Sequence, residues 1–239
     1  MPTKKLVQTF LLLTIMPSAI LWLHAQARQN VLGMTLDRLE LHNAKAEAVN
    51  YNGKPAVRVD ALPDAANGTS YAILKGSRFH NGTIEVELAG KPGVNAGPGA
   101  RGFIGIAYRV QGNRFEYIYL RPTNGRADDQ VRRNHSTQYS SYPDFDFAKS
   151  REEAPGKYES YVDLEPGVWT KYRLDVDGRT ARLFVNGAAQ PCLIVNDLRL
   201  APDSGGVALW VGPGTLGYFA NLKITRRQAS PAPKPDGVK

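Results

Sequence analysis

The sequence has few of the residues on which disulfide-rich domains and metal proteins depend. Only Cys192 is a cysteine among 239 residues, and this excludes an intramolecular disulfide. The four histidines, one of them within the first 27 residues, do not have the spacing of a zinc site. We therefore expect no bound cofactor, and we expect a hydrophobic core to hold the fold together.

The chain also lacks a convincing amphipathic helix. Short runs alternate apolar and polar residues instead, as in residues 83–88, where Ile84, Val86 and Leu88 share one face. Turn signals containing Gly and Asn recur about every ten residues, a spacing typical of β-sandwiches and barrels. All-β units of this length commonly form one domain. The sequence therefore predicts a single all-β domain.

Charge of one sign is not concentrated in this domain. The net charge of the whole chain is +8, but Lys4 and Lys5 lie in an amino-terminal leader and a further +3 lies in the tail from residue 226. About +3 remains for the domain itself, which gives little support to nucleic-acid binding. We expect no nucleic-acid partner, and the sequence leaves the oligomeric state open.

The first 27 residues have the pattern of an export signal. Lys4 and Lys5 precede an uncharged apolar run over residues 10–23, and Ala25-Gln26-Ala27 forms a small-x-small cleavage site. We predict a signal peptide at 1–27, export to the periplasm or the cell exterior, and no membrane contact after cleavage. The alternative is an uncleaved membrane anchor, because the charge-free stretch 6–27 is long enough to span a bilayer.

The sequence also predicts where the domain begins and ends. The all-β domain is expected over residues 30–226. The segment 227–239 contains Pro231, Pro233 and Pro235, and its composition indicates a disordered Pro-rich tail.

The longest stretch without a strand pattern lies within residues 119–163. We expect one long polar insert of roughly thirty-five residues there, and loops of that length are usually functional or disordered. Aromatic residues such as Tyr139, Tyr142 and Phe145 argue against disorder. The insert is therefore the predicted site.

The strand before this insert, residues 115–121, has two distinct faces. Ile118 and Leu120 point one way, whereas Tyr117, Tyr119 and Arg121 point the other way together with Phe115. The aromatic face has two interpretations that the sequence leaves open. It is either a platform on which sugar rings stack or a second buried layer beneath the insert.

The insert also contains candidates for acid–base chemistry. His135 is the natural general acid or base because its ordinary pKa lies near neutrality, Tyr139 lies close to it in sequence, and Glu159 could orient the imidazole. The same arginines and carboxylates could instead pair with each other to hold a long loop in place. The predicted substrate-binding residues are Tyr117, Tyr119, Arg121, Asn124, Arg126, Arg132, Arg133, Asn134, Gln138, Tyr161 and Asp163.

A structural calcium ion is a secondary hypothesis for the same stretch. Oxygen ligands suffice for Ca²⁺, and four aspartates are available, although their spacing does not match an EF-hand loop. They are Asp128, Asp129, Asp144 and Asp146.

The carboxyl-terminal third resembles a known family. Residues 167–187 form a Trp- and Asn-Gly-containing hairpin pattern, and residues 205–210 and 217–224 have the pattern of closing strands. These segments resemble concanavalin A-like jelly rolls, including laminin G-like modules and the 3-keto-disaccharide hydrolase domain family. The resemblance implies a two-sheet antiparallel jelly-roll sandwich whose concave face often binds or cleaves carbohydrate. The Glu-x-Asp-x-x-Glu strand of glycoside hydrolases on this fold is absent, which argues against that activity.

Three functions follow as hypotheses. The first is an exported carbohydrate-binding domain that uses a concave aromatic and arginine face and the insert. The second is a glycan-acting hydrolase or lyase, with His135 and Tyr139 as acid and base and arginines that anchor an acidic or oxidised sugar. The third is a non-catalytic adhesion or scaffold domain. Convergence of Arg121, His135, Tyr139 and Glu159 at an open cavity would favour catalysis, whereas mutual pairing would favour a structural insert.

Overall fold

The structure is a computed structural model that describes residues 28–30, 33–62, 69–201 and 203–227. The predicted signal peptide at 1–27 lies outside the described residues, and so does the Pro-rich tail from residue 228 onwards. Within the described part, the predicted all-β class is confirmed, because strands account for most of the regular structure.

Fifteen strands follow one another in the described part of the chain. They are β1 (Arg28–Asn30), β2 (Leu39–His42), β3 (Ala44–Tyr51), β4 (Lys54–Ala61), β5 (Ser70–Leu74), β6 (Gly82–Pro92), β7 (Ile104–Gln111), β8 (Arg114–Leu120), β9 (Thr137–Tyr142), β10 (Glu159–Ser160), β11 (Thr170–Asp177), β12 (Thr180–Val185), β13 (Leu193–Val195), β14 (Gly206–Val211) and β15 (Thr215–Arg226). Two short α-helices, α1 (Gln130–Asn134) and α2 (Phe147–Glu153), and two 3₁₀ turns, Leu36–Arg38 and Pro122–Asn124, complete this list.

The strands form two antiparallel sheets. One has the order β13-β12-β11-β6-β15-β4-β3, with β1 also paired to β15, and the other has the order β10-β9-β8-β7-β14-β5-β2. Apolar side chains from both sheets meet in one shared core. The predicted two-sheet jelly-roll sandwich of the concanavalin A-like type is therefore confirmed.

The core follows from period-two alternation along the strands. Ile84 and Leu88 of β6 face Ile104 and Ile106 of β7 within one buried cluster, and each of these side chains is at most 1% exposed. Turn chemistry agrees with this pattern at the β3–β4 hairpin, where Asn52 and Gly53 have positive φ angles of 46° and 77°. Both positions of this turn need left-handed backbone, which Asn and Gly adopt most readily.

The predicted long insert is the main point at which the structure differs from expectation. Residues 137–142 form β9, which pairs with β8 from Phe115↔Tyr142 to Leu120↔Thr137, and β10 pairs with β9 in turn. The segment therefore widens the sheet by two strands, and two helical turns lie between them. The sequence Thr-Gln-Tyr-Ser-Ser-Tyr of β9 is polar on both faces, so it carries no period-two signal.

The short helices begin at capping residues. The side chain of Asp129 accepts a hydrogen bond from the Arg132 N–H, and that of Asp146 accepts one from the Lys149 N–H. Neither helix is long enough to show an amphipathic period in the sequence. Of the helices in the described residues, none is long and apolar enough to cross a membrane.

Candidate functional site

A cavity of about 910 Å³ lies over the face of the seven-stranded sheet that points away from the shared core. We call it the aromatic cavity. Strands β8 and β14 form its floor, and the segment between β8 and β10 forms one side. Its lining residues are Thr69, Gly99, Arg101, Phe103, Tyr117, Tyr119, Arg121, Asn124, Asp129, Val131, Arg132, His135, Tyr142, Pro143, Asp146, Phe147, Arg151, Trp210 and Pro213.

Three aromatic rings pack together in the floor of the aromatic cavity. Tyr117 and Tyr119 stack with their ring centroids 5.5 Å apart, and Trp210 lies 5.0 Å and 4.8 Å from them. Gly105 pairs with both Tyr119 and Trp210, and a Cβ at this position would lie 2.6 Å from Tyr119 Cα. The bare glycine therefore allows the two rings to approach across the strand between them.

The floor has features of both predicted roles of the aromatic face, a buried layer and a platform for sugar rings. The three rings are at most 7% exposed, so they form a packed layer, and the same rings line the cavity. Trp210 Nε1–H is buried and has no hydrogen-bond partner among the described residues. A buried donor without a partner loses its bond to water, and this costs free energy in the packed floor.

A buried carboxylate joins the segments at the side of the aromatic cavity. Glu159 Oε1 accepts hydrogen bonds from Arg121 at 2.8 Å and from Arg151 at 2.6 Å, and Glu159 Oε2 accepts one from Arg151 Nε at 2.9 Å. His135 Nε2 lies 3.4 Å from the same Oε2. We call Glu159, Arg121, Arg151 and His135 the Glu159 cluster.

The Glu159 cluster sets the charge state of its members. Burial opposes ionisation of Glu159, but the hydrogen bonds and positive charges of Arg151 and Arg121 outweigh it and lower its pKa. Burial lowers the pKa of His135, although the Glu159 carboxylate acts in the opposite direction. At neutral pH the cluster therefore contains an ionised carboxylate and a neutral imidazole, so Glu159 has no proton to donate as a general acid.

Two further predicted residues support this cluster. Asn124 donates to the backbone oxygen of His135 at 3.1 Å and accepts from Arg132 Nε at 3.0 Å. Gln138 Oε1 accepts from Arg121 at 3.0 Å, and its amide donates to Ser150 Oγ at 3.2 Å. Asn124 and Arg132 line the aromatic cavity, whereas Gln138 is buried behind Arg121.

Tyr139 lies outside the aromatic cavity, so the predicted pairing of Tyr139 with His135 is wrong. Its side chain is fully buried in the core between the sheets. Tyr139 Oη donates to Glu116 Oε2 at 2.6 Å and accepts from the Arg199 N–H at 2.8 Å. Successive residues of a strand point to opposite faces, so Gln138 reaches the Glu159 cluster and Tyr139 cannot. Burial raises the pKa of Tyr139, and this also disfavours a role in proton transfer.

The other predicted binding residues do not line the aromatic cavity. Arg126 makes two hydrogen bonds to Asp163, at 2.7 Å and 3.1 Å, in an exposed pair. Arg133 donates to the backbone oxygen of Ala127, Asn134 accepts from Gln130, and Tyr161 is 45% exposed. These contacts hold the segment in place, as the structural interpretation of its charged residues predicted.

Sequence reasoning missed several residues that line the aromatic cavity. Arg101 and Phe103 come from the loop before β7, and Arg151 and Phe147 come from α2. The position of Trp210 could have been predicted from the sequence. Alternation along β14 places its side chain on the face away from the core residues Leu209 and Val211. The positions of the others depend on loop conformation, which period-two alternation does not describe.

Three of the four aspartates proposed for calcium have other partners. Asp129 and Asp146 cap the two helices, and Asp144 forms a 2.8 Å ion pair with Arg114. Across the described ranges, no group of three or more His, Cys, Asp or Glu side chains could hold a metal ion. The calcium hypothesis therefore finds no ligand set in this part of the chain.

Comparison with known proteins supports the fold. No family model matches the chain, and no curated protein matches it by sequence. A carbohydrate binding module, CBM66 from Bacillus subtilis, is similar in structure, with a TM-score of 0.54 and 10% identity over 78% of this chain and 95% of that one. A Bacillus subtilis protein with a galectin-like fold has a TM-score of 0.51 and 10% identity over 84% and 96% of the two chains.

A lectin-like domain is also similar. The exoplasmic/lumenal domain of VIP36, in a Ca²⁺- and Man3GlcNAc-bound form, has a TM-score of 0.50 and 12% identity, and the match covers 82% of this chain and 86% of that one. At these identities the three comparisons establish a shared jelly-roll architecture, as the resemblance of the carboxyl-terminal third implied.

The Glu159 cluster predicts a specific dependence of stability on pH. Because the pKa of Glu159 is lowered in the folded state, its stabilising contribution is present above its unfolded value, about 4.3, and is lost as pH falls through the folded value. Replacing Glu159 with Gln leaves two arginines without their carboxylate and should lower the free energy of unfolding at pH 7 by on the order of 3 kcal/mol.

Urea denaturation at pH 7 and pH 3 measures this effect. We expect the difference between wild type and Glu159→Gln to shrink at pH 3. Asp163→Asn is the matched control, because it removes a carboxylate from an exposed arginine pair that water screens, and it should change stability far less. Equal losses in the two variants, or a difference that is independent of pH, would contradict this account.

Proposed function

We propose that this protein binds carbohydrate in the aromatic cavity. The observation that carries the proposal is the floor of Tyr117, Tyr119 and Trp210 beside a row of arginines. A sugar ring has apolar C–H faces and polar hydroxyl edges. Aromatic rings match the faces, and guanidinium and amide groups match the edges. A cavity of this size, lined by aromatic residues with a few polar groups, is typical of a ligand site.

The structural neighbours are consistent with this proposal. CBM66 is a carbohydrate binding module by name, and the VIP36 domain is described with a bound Man3GlcNAc. One fold hosts many functions, so these similarities make carbohydrate a reasonable class without identifying a site. The aromatic floor and the arginines of this chain supply the argument for where binding occurs.

The charge of the aromatic cavity favours an acidic sugar. Among the described residues, neither Arg101 nor Arg132 forms an ion pair with a carboxylate, although both line the cavity. Burial lowers the pKa of Arg101, and the crowding of positive charge from Arg132 and Arg121 acts in the same direction. A uronate or sulfate group on a bound glycan would relieve this crowding with bidentate hydrogen bonds.

The alternative of glycan turnover rests on His135 alone. His135 lines the aromatic cavity and lies beside Glu159, which could orient its imidazole as the base of a lyase or hydrolase. The predicted partner Tyr139 is in the core, and Glu159 is ionised and bound to two arginines. Mutual pairing of this kind favours a structural role for the Glu159 cluster over a catalytic one.

Export is the part of the proposal that depends on sequence alone. Residues 1–27 support it through the paired lysines, the apolar run and the small-residue cleavage motif. Amino-terminal sequencing of the mature protein tests it, and we expect a new terminus after Ala27. Recovery of the intact leader in a membrane fraction would favour the uncleaved anchor instead.

The first test of binding uses the two tryptophans of the described chain. Wild type is screened on an array of neutral and acidic glycans, and the bound glycan is then titrated by calorimetry. Trp210→Phe replaces the indole of the floor with a smaller ring, and it should weaken binding by about five- to tenfold. Trp169→Phe is the matched control, because Trp169 packs against Tyr51, which belongs to the other sheet.

The outcomes of this screen separate the three hypotheses. Equal effects of the two tryptophan variants would overturn the assignment of the aromatic cavity. Failure of wild type to bind any glycan would favour the adhesion or scaffold alternative. Release of shortened products by wild type, abolished by His135→Ala, would favour the enzyme.

The second test addresses acidic recognition. Arg101→Gln should weaken binding of trigalacturonate about tenfold and reduce its salt dependence, because one charge-assisted contact is lost. It should leave binding of the fully methyl-esterified trisaccharide unchanged, since that ligand carries no carboxylate. Arg126→Gln, which removes an exposed arginine outside the cavity, serves as the control. Equal losses for the charged and esterified ligands would contradict a preference for acidic sugars.

A further inference from the structure

A second cavity adjoins the aromatic cavity on the same sheet. Its volume is about 370 Å³, and it shares Thr69 and Tyr142 with the aromatic cavity. We call it the His42 cavity. Its other lining residues come from the β2–β3 corner, from β5 and from the β7–β8 turn, and they are Leu41, His42, Asn43, Tyr71 and Asn113.

A continuous strip of rings connects the two cavities. From Tyr117 in the first cavity, ring contacts pass to Phe115 at 5.4 Å and then to Tyr142 at 5.1 Å. A second branch runs from Phe115 to Tyr71 at 5.0 Å, and Tyr71 stacks on His42 at 4.7 Å with nearly parallel planes. Tyr119, Tyr117 and Phe115 alternate along β8, so this part of the strip alone spans about 13 Å. Phe115 itself is fully buried, so the strip is a packed layer beneath both cavities, and this layer is longer than one sugar ring.

The His42 cavity differs from the aromatic cavity in its polar groups. It is lined by amide, hydroxyl and imidazole groups, and no Lys or Arg is among its lining residues. Asn43 Nδ2 donates to the Thr69 backbone oxygen at 3.3 Å, and the Asn113 side chain is exposed at the turn. His42 is held by Glu40 at 2.9 Å, and 35% of its side chain remains exposed. Such groups suit neutral hydroxyls, whereas arginines in the aromatic cavity suit an anion.

We infer that the His42 cavity is a second subsite for the same glycan chain, so that the ligand is an oligosaccharide or polymer that extends from the aromatic cavity along β8 to His42. The inference rests on the proposed function, and it adds the length and direction of the ligand. The anionic group is bound at the arginines, and units farther along the chain pack on Tyr71 and His42. The shared residues Thr69 and Tyr142 mark the passage between the subsites.

Calorimetry with ligands of increasing length tests the second subsite. The probes are linear oligogalacturonates, with arabino-oligosaccharides as the neutral series, each from one to six units. We expect the affinity of wild type to rise about tenfold or more between the shortest and longest members of the bound series. We also expect His42→Ala to remove that gain while it leaves the affinity for the shortest bound member unchanged.

Two further variants protect the test against misfolding and nonspecific effects. Asn113→Ala changes an exposed turn residue of the His42 cavity and should also reduce the gain with length. Asn50→Ala changes an exposed asparagine on β3 of the other sheet and should have no effect. A wild-type affinity that does not depend on length, or a gain that persists in both His42→Ala and Asn113→Ala, would overturn the second subsite. Failure of wild type to bind either series would instead count against the proposed function.

Discussion

One buried carboxylate holds together the segments that form the side of the aromatic cavity. Glu159 binds Arg121 at the end of β8, Arg151 in α2 and His135 after α1, so three separate parts of the chain meet at one group. An ion pair this deeply buried contributes less to net stability than its short distances suggest, because both charges lose their water. Its structural consequence is that removing the Glu159 carboxylate leaves the charges of Arg121 and Arg151 without their shared partner.

This constraint explains why arginines at the cavity fall into two groups. Arg121 and Arg151 share the single negative charge of Glu159 and serve to position the wall. Arg101 and Arg132 are held by backbone and amide oxygens, with Arg101 donating to Pro98 at 2.6 Å and Arg132 donating to Asn124 at 3.0 Å. These neutral partners fix the direction of the side chains without cancelling their charge. The second group therefore retains the charge to attract an anionic ligand.

Strand β8 connects the fold with the candidate site. Ile118 and Leu120 join the core between the sheets, while Tyr117 and Tyr119 form the floor of the aromatic cavity on the other face. A rigid sheet thus supplies the stacking surface, and the loops and short helices supply the polar groups around it. Because its rings are already packed against each other, the floor loses little side-chain freedom when a ligand binds.

The sequence by itself determined the sandwich and the two faces of β8. Period-two alternation and Asn-Gly turns are local properties, and they correctly predicted the all-β class and the position of the tyrosines on β8. Arg121, Asn124, Arg132 and His135 were also predicted, and all four line the aromatic cavity.

Only the tertiary structure decided which charged residues meet and which are separated. The polar strand β9 pairs with β8 through backbone hydrogen bonds, which the side-chain pattern of β9 does not predict. This pairing directs Gln138 to the Glu159 cluster and Tyr139 into the core. Arg101, Arg151 and Trp210 come to the same cavity from three distant parts of the chain. Long-range pairing and loop conformation place such residues, and neither is encoded in the local pattern of apolar and polar positions.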